Sequence, residues 1–123
     1  MHVSVVSIPV SDQDRAKKFY TEVLGFQQLA DAEMKPDMRW VHLSAPDGGA
    51  TITLVTWFPT MPPGSTRGLV LEIEDVDRWH TGLSAQGYAF PDGIRTEPWG
   101  RYVTVKDPDG NGIVLQTSNR PSS

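Results

Sequence analysis

The 123-residue chain contains no cysteine. That excludes a disulfide framework and leaves no thiol nucleophile. Basic residues are not in excess either: 11 Lys and Arg stand against 15 Asp and Glu, a net charge of −4 with an isoelectric point near 5.2. A nucleic-acid partner, which needs a basic face, is therefore not expected. No segment approaches the roughly 18 apolar residues of a membrane span, so no membrane partner is expected. Met1-His-Val-Ser-Val-Val6 runs directly into a strand pattern, with neither a charged start nor a long apolar stretch. No signal peptide is expected, and the expected location is the cytoplasm. What is present is ordinary: 38% hydrophobic and 21% charged residues, enough for one domain with a real core but not for two independent ones.

The strongest local signal is the stretch from Val103 to Gln116. Val103 and Val105 alternate with Thr104 and Lys106, the period of a half-buried strand. Asp107-Pro-Asp-Gly-Asn-Gly112 then supplies a fixed proline φ, side-chain acceptors and glycines, so the chain reverses. Ile113 and Leu115 return on one face, with Val114 and Gln116 on the other. Asp109-Gly-Asn111 lacks the downstream acids of a calcium loop and is read as a turn.

Earlier in the chain, Val6, Ile8 and Val10 alternate as a first strand. Ser11-Asp12 offers a helix cap, and Ala16, Phe19, Tyr20, Val23 and Leu24 follow at helical spacing up to Gly25. Phe26 to Leu29 is expected as a strand, Met34 to Asp37 as a polar bend, and Arg39 to Ser44 and Thr51 to Val55 as two further strands. After a Pro/Gly-rich connector the order repeats. Gly68 to Ile73 is a strand, and Asp75 caps a helix carrying Val76, Trp79 and Leu83 that ends at Gly87. Tyr88 to Phe90 is short and extended, Asp92 to Gly100 a loop, and the hairpin follows.

The two halves agree in detail. Asp12-x-Asp14-Arg15 returns as Asp75-x-Asp77-Arg78, Gly25-Phe26 as Gly87-Tyr88, and Pro46-Asp-Gly48 as Pro108-Asp-Gly110, at an offset of about 62 residues. The pattern is two tandem βαβββ modules in one α+β domain over residues 1–123. Module one runs over about 3–57, a connector over 58–67, module two over about 68–117, and a polar tail over 118–123. One helix covers one face of each four-stranded unit, so the second faces are left to curl around a cleft.

Val10-Ser-Asp-x-Asp-Arg-Ala-x-x-Phe-Tyr-x-x-Val-Leu-Gly-Phe26 and Asp107-Pro-Asp-Gly-Asn111 resemble the motifs of the glyoxalase/bleomycin-resistance/extradiol-dioxygenase superfamily, the vicinal oxygen chelate fold. The resemblance spans Val5 to Gln116. It implies a mixed-sheet fold around a cleft and, in the family's enzymes, a divalent metal held by His, Glu or Gln. The implied ligand slots fall here on Val5, Thr53, Gly68 and Val114. None of these is an imidazole or carboxylate, so no metal and no other cofactor is expected.

Strand parity then sends Ser7, Thr51, Thr53, Val70, Glu72 and Gln116 to the uncovered faces. Trp40, His42, Tyr102 and Thr104 join them, and Trp57 and Trp99 stand on nearby loops. The expected ligand-binding set is Trp40, His42, Thr53, Trp57, Glu72, Trp99, Tyr102 and Gln116, aromatic walls with a few polar groups. Each has a plainer reading: the tryptophans as packing residues, His42 as a hydrogen-bonded strand histidine, Glu72 as half of a salt bridge to Arg101, Arg39 or Lys106. Glu72 is also the one weak catalytic candidate, as a base. His80, on a helix among charged residues, is read as solvent-facing. His2, His42 and His80 share no ligand spacing. These residues lead to a metal-independent small-molecule binder that sequesters an antibiotic-like or aromatic compound, as a homodimer. The alternative is an enzyme of the same superfamily, lyase-like, dioxygenase-like or using metal-free acid/base chemistry at Glu72.

Overall fold

The computed structural model describes residues 1–119. The elements follow in the order β1 (Val5–Pro9), α1 (Gln13–Lys18), a π-helical turn (Phe19–Val23), β2 (Gln27–Lys35), β3 (Met38–Ser44), β4 (Thr51–Val55), β5 (Leu69–Glu72), α2 (Val76–Ala85), β6 (Arg95–Glu97), β7 (Gly100–Lys106) and β8 (Gly112–Ser118). They form two four-stranded mixed sheets, ordered β1-β4-β3-β2 and β5-β8-β7-β6. In each, the first strand of the module runs parallel to the last and the other pairs are antiparallel. This is the βαβββ unit built twice.

The chain divides into two compact units. One is Met1–Thr66 with Asp107–Asn111, and the other is Arg67–Lys106 with the chain from Gly112 onward. The core of the first unit lies between α1 and one face of its sheet. Ile8, Val41, Leu43, Ile52 and Leu54 are buried there together with Ala16, Phe19, Tyr20, Leu24 and Phe26. These strand positions alternate because side chains two apart share a face. Asp12 caps α1 by accepting a hydrogen bond from the Arg15 amide at 3.0 Å, which satisfies one of the orphan amides of the first turn. Asp75 caps α2 in the same way at the Arg78 amide, 3.1 Å. The second core is smaller, with Val76, Leu83, Val103, Val105, Ile113 and Leu115 buried.

Three elements depart from the sequence reading. β2 extends to Lys35, where a polar bend was expected from Met34, and the chain turns at Pro36-Asp37 with Asp37 at φ 64°. The strand is an edge held by pairing to β3 and is mostly exposed, so it has no apolar alternation to betray it. The second strand of module two is Arg95–Glu97, not Tyr88–Phe90. It too is a polar edge, paired only with β7. Ser118, placed in the tail, still belongs to β8 and donates its amide to Glu72 at 2.8 Å. Beyond Asn119 the expected tail lies outside the described residues. Among the described residues no helix is long and apolar enough to cross a membrane.

Candidate functional site

In the first unit, register sets a row across the sheet on the face away from α1. Ser7 pairs with Thr53, Thr53 with His42, and His42 with Ala30. The Ser7 and Thr53 hydroxyls lie 3.4 Å apart, and Thr53 is fully buried. Trp40, two residues before His42 on β3, stands beside its ring with centroids 5.7 Å apart. The Nε2 atom of His42 lies 2.6 Å from the Thr51 hydroxyl, which donates to the Ser4 carbonyl at 3.0 Å. Trp57, beyond the end of β4, is half-buried and packs against Phe58 with ring centroids 6.0 Å apart.

The second unit builds a different row from Glu72, Gln116, Tyr102 and Arg95, each the register partner of the next. Gln116 donates from Nε2 to Glu72 Oε1 at 3.1 Å, so both carboxylate oxygens of Glu72 accept protein hydrogen bonds. Trp99 stacks on Tyr102, with ring centroids 5.5 Å apart and planes only 10° from parallel, and is 40% exposed. The Pro98-Trp99-Gly100 turn is fixed by Asn119, whose amide reaches the Trp99 carbonyl at 2.7 Å. Gly100 is required there: at φ 154°, an added Cβ would stand 2.3 Å from the Thr117 carbonyl oxygen.

The eight residues singled out from sequence therefore fall into two sets, Trp40, His42, Thr53 and Trp57 on one unit and Glu72, Trp99, Tyr102 and Gln116 on the other. Two of the plainer readings change. Glu72 is exposed, so its carboxylate needs no compensating charge. Arg39 is engaged with Asp31 and Asp14, and Arg101 with Asp77. His80 does not simply face solvent: it is half-buried, with its ring 4.8 Å from that of Phe90. Arg95 was missed because β6 carries no alternating pattern, and only its pairing to Tyr102 brings it into the row.

An open groove of about 620 Å³ on the first unit is lined by Gln13, Asp31, Glu33, Asp37 and Arg39 among others. Its ion pairs are internal. Arg39 grips Asp31 through two bonds of 2.8 and 2.7 Å, and Lys17 adds a third at 2.7 Å. The hydrogen bonds from Arg39, and then from Lys17, hold the Asp31 carboxyl well below the usual carboxylate range. Glu33 and Asp37 stand exposed on its wall, and the groove is a solvated ionic rim.

The family's metal slots do not fit a metal. Val5 is aliphatic and partly exposed, Thr53 offers a buried neutral hydroxyl beside Ser7, Gly68 has no side chain, and Val114 has no donor. Among the described residues, no three His, Asp or Glu side chains gather where they would hold an ion.

Comparison with known proteins agrees with this architecture. A model of the Glyoxalase/Bleomycin resistance protein/Dioxygenase superfamily matches residues 2–115. The crystal structure of TnmS3, an antibiotic binding protein from Streptomyces sp. CB03234, is similar at 45% identity and a TM-score of 0.89, with 97% of each chain covered. A superfamily member from Sphaerobacter thermophilus DSM 20745 matches at 31% identity and a TM-score of 0.87 over 95% of this chain and 97% of that one. The Bacillus subtilis (strain 168) protein YetH is 34% identical over 117 residues, 93% of this chain and 96% of its own. With the repeated βαβββ unit and a family match across nearly the whole length, the chain belongs to the glyoxalase/bleomycin resistance protein/dioxygenase superfamily.

Proposed function

We propose that this protein binds a small, partly aromatic or hydrophobic molecule without the help of a metal ion, and that sequestration of an antibiotic-like compound is its concrete role. The observation that carries this reading is the make-up of the two uncovered sheet faces. Aromatic rings and neutral hydrogen-bonding groups stand there, at Trp40, His42 and Thr53 and at Trp99, Tyr102 and Gln116, while the positions that would carry chelating side chains hold aliphatic, hydroxyl or no side chains. Rings supply apolar contact area at small entropic cost, and a few fixed polar groups set orientation. The similarity to an antibiotic binding protein along 97% of both chains supports the same reading. Acid/base catalysis at Glu72 is disfavoured, since both of its oxygens already accept hydrogen bonds from Gln116 and Ser118. The reading includes a cytoplasmic homodimer as the working form.

A panel of aromatic antibiotics titrated against the purified protein tests this proposal, followed by tryptophan fluorescence and thermal unfolding. At least one compound is expected to quench fluorescence and raise the melting temperature; a ligand at 100 times its Kd adds about 2.7 kcal/mol. Alanine at both Trp40 and Tyr102 is expected to abolish that stabilisation, and unchanged stabilisation would remove both faces from the site. Elemental analysis of the same material is a second check: near-stoichiometric zinc, nickel, manganese or iron would overturn the metal-independent reading.

A further inference from the structure

We infer that His42 selects for ligands carrying a hydrogen-bond donor, because the hydrogen bonds around it leave its Nδ1 atom as an unfilled acceptor on the uncovered sheet face. The inference rests on the small-molecule reading above and specifies what the ligand must carry. The Thr51 hydroxyl sits between two partners, the Ser4 carbonyl oxygen at 3.0 Å and His42 Nε2 at 2.6 Å. A carbonyl only accepts, so the single hydroxyl hydrogen goes to Ser4. The hydroxyl must then accept from the imidazole, and a neutral ring with its proton on Nε2 keeps a bare lone pair on Nδ1. Among the described residues nothing donates to that atom.

The neighbours of the ring make this atom a selector. His42 is half-buried. Thr53 and Ala30 flank it in register, and the Thr53 hydroxyl is engaged with Ser7 at 3.4 Å. Trp40 stands alongside with ring centroids 5.7 Å away. An apolar guest packed on Trp40 would shed water from Nδ1 and leave the acceptor unpaired. A guest with a hydroxyl or N–H beside its ring would fill it. Sites built to hydrogen-bond such a group reject analogues lacking it, because the protein atom is stranded. The ligand class is therefore an aromatic molecule with a phenol-type hydroxyl or an N–H at its edge.

The full-length, 15N-labelled protein tests this by NMR with two probes that differ only in the donor, 2-naphthol and 2-methoxynaphthalene. Long-range proton–nitrogen spectra of the free protein at neutral pH are expected to show His42 protonated on Nε2 alone; an Nδ1-protonated ring would overturn the inference before any ligand is added. On titration, 2-naphthol is expected to shift His42 Nδ1 and the Trp40 indole and to bind about tenfold more tightly than the ether. H42F is expected to abolish the naphthol advantage, bringing the two probes to equal affinity. T51V, which frees the tautomer, is expected to shrink the naphthol advantage. Equal affinity of the two probes in the unmodified protein, or naphthol shifts confined to Trp99 and Tyr102, would overturn the role of His42 and leave small-molecule binding intact. Absence of shifts at every aromatic ring would count against both.

Discussion

Removing one hydroxyl, Tyr20→Phe, is expected to cost about 2 kcal/mol of stability, although the ring it leaves behind is unchanged. Tyr20 is fully buried, and its hydroxyl donates to Asp107 Oδ2 at 2.9 Å. Burial, and then the negative charge of Asp107, push the phenol far above its usual range, so it remains a donor throughout the working pH range. Asp107 is buried too, and its other bonds come from the Asp109 and Asn111 amides, each at 2.9 Å, and from Asn111 Nδ2 at 2.8 Å. A hydrogen bond to a charged group contributes about 1.5–3 kcal/mol, and a buried carboxylate that loses a donor cannot recruit water easily. Three remaining donors hold the loss near the middle of that range. Urea unfolding of Tyr20→Phe, Asn111→Ala and the double variant measures it. Because Asn111 Nδ2 bonds both Asp107 and the Pro9 carbonyl, the latter at 2.9 Å, the two losses are expected to be non-additive by at least about 0.5 kcal/mol. A loss below about 0.5 kcal/mol for Tyr20→Phe, within the range of surface substitutions, would refute the reasoning.

Two other perturbations follow from the same unit. Gly64→Ala is expected to destabilise by about 3 kcal/mol or more in thermal or urea unfolding, since Gly64 sits at φ +81° and an added Cβ would lie 2.1 Å from the Asp109 carbonyl oxygen; a stability within 1 kcal/mol of the parent, on the order of an ordinary surface change, would show that this approach is not needed. Asp31 has a folded-state affinity for protons below its unfolded one, so its pairing contributes fully above the ordinary carboxylate pKa of about 4 and is lost as pH falls beneath it. Asp31→Asn is therefore expected to cost roughly 1 kcal/mol at pH 7, allowing for solvent screening of a partly exposed pair, and to cost progressively less below about pH 4 when the two proteins are unfolded in parallel.

The parts of the fold that were legible in the sequence are those where burial writes a pattern. β3, β4, β7 and β8 each carry an apolar face, and the caps Asp12 and Asp75 precede their helices as expected. The polar edge strands were legible only in part: the start of β2 was read at Phe26 to Leu29, but its reach to Lys35 and the whole of β6 were not. β2 and β6 exist because their backbones complete hydrogen bonds with β3 and β7, and Glu33 or Arg95 needs no particular side chain to do that. For the candidate site, parity along a strand is written in the sequence, so Trp40 and His42, two apart, could be put on one face. Register between strands is not. The Ser7–Thr53–His42 and Glu72–Gln116–Tyr102–Arg95 rows and the Trp99–Tyr102 stack depend on it.

The imperfection of the internal repeat holds information that its regularity conceals. Asp12 to Asp75 is a step of 63 residues, yet Gly25 to Gly87 is a step of 62, so the first helix has one residue more than the second between cap and stop. An α-helix absorbs one inserted residue as a π-turn, and the π-helical turn at Phe19–Val23, closed by the Leu24 amide on the Phe19 carbonyl, lies between those points while α2 has no counterpart. The turn buries Phe19 and Tyr20 side by side, with ring centroids 5.3 Å apart, and Tyr20 takes Phe26 at 5.7 Å on another side. It thereby holds the Tyr20 hydroxyl at Asp107, 87 residues away in sequence. The same position of the first hairpin, one residue before Pro46, is Ala45, which has no carboxylate to offer. The insertion and the tyrosine lie in module one and the aspartate in module two, so the bond runs between the two repeats of the chain. The one-residue insertion thus serves a buried hydrogen bond that ties the turn Asp107–Asn111, from the second repeat, into the unit formed by the first part of the chain.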